Sequence, residues 1–392
     1  MKRKGKGETE MIGESLNKPN LTVAQRLWRL HWLFVLVLIV TASVGFAMLY
    51  SAANGSFDPW AARQMLRFGI GLGIMLIVAM TSLRVWLKYS YAFYATTLLL
   101  LGAVELGGTI GMGAQRWIDL GVINLQPSEL MKVALVLALA RYFHGGNIED
   151  IGRPTYLFVP LFLVAAPSAL VLRQPDLGTA LMLMIGSGMI FFAAGVRIWK
   201  FVVLLVMGLI AAPIGWQFLR DYQKQRVLTF LNPESDPLGA GYHIIQSKIA
   251  LGSGGLFGKG FMQGSQSHLS FLPEKQTDFI FTMLAEEFGL VGGLGLLSLY
   301  VLILAYGFTI SLNCRNHFGC LVGMGVTTTF FLYVFINIAM VTGLIPVVGV
   351  PLPLISYGGT AMMSLLLGFG LLLSIHINRE ESIGRRGAAD DF

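Results

Sequence analysis

Apolar runs of about 20 residues recur along most of this chain, each long enough to carry an α-helix across the roughly 30 Å hydrocarbon core of a bilayer. They predict ten spans, at roughly 32–53, 65–82, 89–107, 129–143, 155–172, 179–195, 199–219, 279–307, 319–343 and 353–376. The first run follows a basic tail and ends near Ser51-Ala52-Ala53, as a cleaved signal peptide would. Its apolar core is too long for one, and further spans follow, so it reads as a membrane helix. The expected fold is an all-α polytopic membrane protein of about ten transmembrane helices, with one long extracytoplasmic loop between the seventh and eighth. That divides the chain into a tail over 1–30, a membrane domain over 31–378 containing the loop of about 220–277, and a second tail over 379–392.

Composition agrees with the pattern. Charged residues make up 12% of the 392 and apolar ones 55%, where a soluble domain carries about 25% charged; a soluble enzyme and a disordered chain are both excluded. The formal charge of +7 comes from basic residues dispersed between apolar runs, with no basic stripe interleaved with aromatics, so no nucleic-acid partner is expected. Topology accounts for the excess. With both termini on the cytoplasmic side, seventeen Lys and Arg fall on inside segments and four, Arg63, Arg67, Arg116 and Arg173, on short outside loops and their flanks, as the positive-inside rule requires. Cys314 and Cys320 are the only cysteines and match neither a metal spacing nor a disulfide framework.

No internal repeat is evident, and the long loop is the departure from a plain bundle. Within it, Ile244–Leu251 mixes apolar and polar positions as a short interfacial helix does. Next comes Gly252-Ser253-Gly254-Gly255-Leu256-Phe257-Gly258-Lys259-Gly260. It superficially resembles a nucleotide phosphate loop, but the spacing to Gly-Lys is wrong and Gly260 replaces the Ser or Thr. Two readings stay open for it: backbone N–H groups presented to a phosphate, or a turn that needs positive φ.

The sharpest segment runs from Phe271 to Glu287, where Asp278 stands at the entry to a long apolar helix. An acid at the membrane surface with apolar neighbours suits a proton acceptor; the competing reading makes Thr277 or Asp278 the helix N-cap. Glu286 and Glu287, deeper on the same helix, read as pairing with a neighbouring element. A second cluster precedes the fourth span: Gly113 to Gly121 with Arg116, then Gln126-Pro127-Ser128-Glu129 and Lys132. Pro127-Ser128 reads as a helix start, and Glu129 with Lys132 as an i,i+3 pair. Arg116 and Lys132 lie on the side where Asp278 emerges, where an anionic substrate needs fixed cations. Arg173-Gln174-Pro175-Asp176 and Val348 to Thr360 share that face, and their prolines and paired glycines argue for a cavity. Asn337 reads as an interhelical hydrogen bond.

Together these stretches resemble the SEDS family (shape, elongation, division and sporulation proteins), integral-membrane peptidoglycan glycosyltransferases. The match covers nearly the whole chain beyond the N-terminal tail. Ala114 to Trp117, Gln126 to Glu129, Gln174 to Thr179, Asp236 to Gly260, Leu272 to Asp278 and Pro351 to Thr360 carry it. Asp236 to Lys248 and Gly264 to Ser267 favour the elongation branch over the division branch. The resemblance implies a polymerase in the bacterial cytoplasmic membrane, active on the outer face, that joins lipid II units into glycan strands. It further implies a class B penicillin-binding protein as crosslinking partner, together with other elongation-machinery proteins. It puts the catalytic carboxylate at Asp278 and makes Arg116, Gln126, Glu129, Lys132, Asp176 and Lys248 the expected substrate-binding set.

In such a reaction a sugar 4-hydroxyl displaces polyprenyl diphosphate with one inversion, so one base suffices, and the departing anion needs cations rather than a second carboxylic acid. Arg116, Lys132 and Lys248 are candidates, with Mg²⁺ or Mn²⁺ as a candidate divalent ion; the sequence shows no closed metal cage and implies no organic cofactor. Two other classes fit the same spans. A lipid flippase or carrier would be expected to show inverted repeats, and a passive scaffold would only activate an enzyme partner.

Overall fold

The computed structural model describes residues 22–111, 114–119, 124–218, 224, 228–232, 240–265, 274–381 and 383–384. Most of both expected tails, and the loop stretches around Asp236 and Gln266 to Pro273, lie outside the described residues. In chain order the helices are α1 (Val23–Trp28), α2 (Trp32–Ala52), α3 (Ala61–Met80), α4 (Leu83–Gly107), α5 (Pro127–Gly145), α6 (Ile148–Ile151) and α7 (Pro154–Arg173). They continue as α8 (Leu177–Ala193), α9 (Ile198–Phe218), α10 (Ala240–Ser253), α11 (Ile280–Leu312), α12 (His317–Val341) and α13 (Gly359–Ile377).

A helix lies at every one of the predicted spans. Six of them, α2, α3, α7, α11, α12 and α13, are long and apolar enough to cross a membrane, and α8 and the Ile198–Ala211 part of α9 are shorter apolar helices. The boundaries that move most are the starts of α4, at Leu83 instead of about 89, and of α13, at Gly359 instead of about 353. At α13 the backbone itself explains the shift: Leu354 is left-handed (φ 64°) and Gly358 extended (φ 179°), so no helix can run through them.

One element departs from the all-α expectation. Thr109–Gly111, Ala114–Asp119 and Asn124–Leu125 form β1, β2 and β3, paired antiparallel in the order β1-β2-β3. Strands this short carry too few alternations for a period-2 signal to stand out from a loop.

Helix α12 is the hub. It packs against α5, α8, α11 and α13, while α13 lies along α3 and α4 along α5. Helix α9 is its opposite: Ile198, Leu204, Leu205, Leu209 and Ile210 are each more than 60% exposed. A helix apolar all round with so little of itself covered by protein is suited to lipid contact.

Helix α11 is broken at Gly289 (φ 66°, ψ −161°). A break inside an apolar helix strands backbone groups that hydrocarbon cannot satisfy, and here the glycine-rich loop satisfies them. Lys259 N donates to Glu286 O (3.0 Å) and Gly260 N to Glu287 O (3.0 Å), while Leu290 N donates to Gly255 O (3.0 Å) and Val291 N to Leu256 O (3.1 Å). The approach is so close that a Cβ on Gly258 would stand 2.1 Å from Glu287 O, and one on Gly254 2.1 Å from Ala285 O. Between the two readings of this loop, its N–H groups at 259 and 260 are committed to α11 and its glycines to close packing.

Candidate active site

Residues 274–279 form a turn ahead of α11, and Asp278 on it is half-buried. Glu274 organises the turn: its Oε2 accepts from Thr277 Oγ1 (2.9 Å) and Gln276 Nε2 (3.3 Å). Phe279 is the N-cap of α11, with no side-chain capping bond. Neither Thr277 nor Asp278 is therefore the N-cap residue. Burial pushes the Lys275 ammonium, on the same turn, below its ordinary range.

The turn is held by the irregular segment between α12 and α13. Tyr357 N donates to Gln276 O (2.9 Å) and Ser356 Oγ to Thr277 O (2.6 Å). Gln64 of α3, fully buried, donates through Nε2 to Ser356 O (2.9 Å), and Arg67 lies over the Tyr357 ring, 4.9 Å from its centroid. Asn337 of α12 donates through Nδ2 to Asp278 O (2.9 Å) and Val350 O (2.7 Å). Gly349, at φ +72°, presents its α-carbon to the carboxylate, and a Cβ there would stand 3.5 Å from Asp278 Oδ2. Asn337 therefore joins α12 to two loops and not, as expected, to a neighbouring helix.

Glu129 and Lys132 lie in the first turns of α5, where Pro127 supplies the preset φ of a first helical residue. They pair as expected, with Lys132 Nζ 2.7 Å from Glu129 Oε1. Two further groups complete the set: Lys132 donates to Tyr333 Oη, which donates to Glu129 Oε2, and Ser364 Oγ donates to the same oxygen (3.2 Å). Glu129 and Lys132 are 4% and 5% exposed, so the pair sits inside the bundle. The cavity beside the pair, lined by Val133, Val136, Val326 and Gly368, has about 20 Å³, room for a single water.

Arg116 on β2 is committed to the α7–α8 turn: it donates to Gln174 O (3.3 Å) and Pro175 O (2.7 Å) and lies 3.7 Å from Asp176 Oδ2. Asp176 in turn caps α8, accepting from Thr179 N (3.1 Å) and Oγ1 (3.0 Å). Gln126 is the half-buried N-cap of α5 and makes no side-chain capping bond. Lys248 is exposed on α10. Glu286 pairs with Lys259 (2.8 Å), and Glu287 accepts from Ser51 of α2.

The structure therefore joins Glu129 with Lys132 and Arg116 with Asp176. What links Asp278 to the buried pair is α12, whose Tyr333 and Asn337 are four residues apart on one face. Tyr333, Ser364 and Gln64 were not singled out by sequence, Arg67 entered only as an outside charge and Tyr357 only within Val348 to Thr360. The available signal was a polar residue inside an apolar span, which reads equally as ordinary helix packing. Among the described residues no group of three or more His, Cys, Asp or Glu side chains gathers as metal ligands.

A family model described as cell cycle protein, FTSW_RODA_SPOVE, matches residues 24–381. The peptidoglycan glycosyltransferase MrdB of Escherichia coli is 45% identical over 351 residues, covering 88% of this chain and 93% of the relative. A chain of a peptidoglycan synthase complex, solved for its coordination of polymerization and crosslinking, is 36% identical with a TM-score of 0.79, covering 90% of this chain and 99% of that one. The rod shape determining protein RodA of Thermus thermophilus is 31% identical with a TM-score of 0.69, over 90% of this chain and 98% of that one.

Proposed function

We propose, from the premise that the chain belongs to the FtsW/RodA/SpoVE family of cell cycle proteins, that it joins lipid II disaccharides into β-1,4 glycan strands with Asp278 as the general base. The chain is a polytopic membrane peptidoglycan glycosyltransferase. The observation that carries the assignment of Asp278 is its setting: a half-buried carboxylate just ahead of an apolar helix, faced by Gly349, with its own carbonyl anchored by Asn337.

The acceptor's 4-hydroxyl oxygen attacks the α-anomeric carbon of the donor, forming the β-glycosidic bond. The bond to the diphosphate breaks, its electron pair leaves with the polyprenyl diphosphate, and the hydroxyl proton passes to Asp278. A diphosphate leaves as a stable anion, so no acid catalyst is needed, and fixed positive charge lowers the barrier. Lys275 on the turn and Arg67 over Tyr357 join Arg116 and Lys248 as cations on this end of the bundle. Glu129 and Lys132, closed in by Tyr333 and Ser364, act by fixing α5 against α12.

The excess of seventeen basic residues over four supports both termini in the cytoplasm and the Asp278 turn on the outer face of the bacterial cytoplasmic membrane. All ten long helices would then cross the bilayer. The relatives named MrdB and RodA support a role in elongation, with a class B penicillin-binding protein as crosslinking partner.

The test is purified protein with labelled lipid II in detergent or liposomes. The unmodified chain makes polymer, and Asp278→Asn, which keeps the shape of the side chain, loses about 10²- to 10⁴-fold in rate while remaining folded. Polymer of normal length and rate from the variant overturns the role of Asp278; leaflet exchange without polymer from the unmodified chain points to a flippase.

A further inference from the structure

Asn337 is fully buried, and both hydrogens of its amide are committed. Nδ2 donates to Asp278 O at 2.9 Å and to Val350 O at 2.7 Å, while Oδ1 has no hydrogen-bond partner among the described residues. Both facing groups are carbonyls, which only the NH₂ end of the amide can satisfy. The side chain is oriented for what it donates, at the expense of its acceptor. Nor does it join two helices, which is the ordinary use of an asparagine inside a membrane bundle. Its two partners lie on two separate loops, and those loops meet at one point: residue 278 itself, and the residue next to Gly349, whose α-carbon faces the Asp278 carboxylate.

We propose that Asn337 is the positioning residue for Asp278. One amide on the rigid, buried helix α12 fixes the backbone that carries the carboxylate and the backbone that walls it, so the two cannot drift apart. The position is set from deeper in the bundle, because Tyr333, one turn earlier on α12, is held by Lys132 and Glu129. Asn337 touches no substrate in this account. Its effect falls on the rate of the chemical step and not on binding, since displacing a catalytic group by about 1 Å can cost 10²-fold in rate.

The inference rests on the Asp278 reading, so its test has two readouts. In purified full-length protein, Asn337→Ala lowers kcat for lipid II polymerisation about 10- to 100-fold with KM within about threefold, and Asn337→Ser, which keeps one donor, falls between it and the unmodified chain. Hydrogen–deuterium exchange, which needs no activity, quickens in Asn337→Ala at both 276–280 and 348–352. The inference is overturned by a raised KM with unchanged kcat, by activity lost only in proportion to folded protein, or by unchanged exchange at both segments. If the unmodified chain makes no polymer, the polymerase reading fails, and the exchange comparison alone decides whether Asn337 holds the two loops.

Discussion

Asp278 and Glu286 stand eight residues apart at the head of the same helix, yet the bundle treats them in opposite ways. Glu286 is fully buried and meets Lys259 at 2.8 Å; Asp278 is half-buried on a turn built by another carboxylate, that of Glu274. Glu129 repeats the first pattern, enclosed with Lys132, Tyr333 and Ser364. A buried ion must be matched by a partner at once, because its desolvation is not otherwise repaid. The matched carboxylates therefore hold structure. At the rim, where desolvation is partial, that demand on Asp278 is weaker.

The contrast predicts that rim and interior substitutions fail in different ways. The largest effect is the loss of turnover in Asp278→Asn with folding retained; an equal loss of stability would place Asp278 with the interior group. Lys132→Ala should do the reverse, leaving Glu129 buried without its cation and destabilising the fold by about 3–5 kcal/mol. Thermal unfolding in detergent measures it, and the double change Glu129→Gln with Lys132→Met should recover most of the lost melting temperature. An unchanged melting temperature in Lys132→Ala would instead argue that the pair is wet and accessible.

Gly258→Ala probes the clasp around Glu286 and Glu287. Its Cβ would collide with Glu287 O, at φ +81°, so the loop must lift and release the bonds from Lys259 N and Gly260 N. A destabilisation of about 1–3 kcal/mol is expected, seen as faster hydrogen exchange at 286–291. A phosphate-binding loop would give weaker substrate binding at unchanged stability. The smallest effect belongs to Lys248→Ala, exposed on α10: stability should stay within about 0.5 kcal/mol. A several-fold rise in KM with kcat unchanged would show that Lys248 meets the anionic headgroup, and no change in either constant would remove it from the substrate-binding set.

Much of this was legible beforehand, for definite reasons. The spans were readable because hydrocarbon demands about 20 apolar residues per crossing helix, a signal that needs no partner to be seen. Asp278 stood out because an acid opening such a run is conspicuous, although only the family resemblance gave it a role, and the i,i+3 spacing of Glu129 and Lys132 made their pairing a local matter. The β1-β2-β3 meander was hidden by its shortness, and the break at Gly289 by the apolar residues on both sides of it. Tyr333 and Ser364 were hidden because they reach Glu129 from helices more than 200 residues away in sequence.

By itself, then, the sequence determined the membrane class, the helical spans, the basic asymmetry between loops and the acid at the mouth of α11, all set by solvent and by neighbours within a few positions along the chain. The tertiary structure alone decided that Lys132 is enclosed, that the glycine-rich loop stitches a broken helix, that Arg116 is tied to the α7–α8 turn and that Asn337 grips the backbone of Asp278. Each of those depends on which distant elements are brought into contact, and hydrogen bonds and ion pairs act only over a few ångströms, so no pattern along the chain records them.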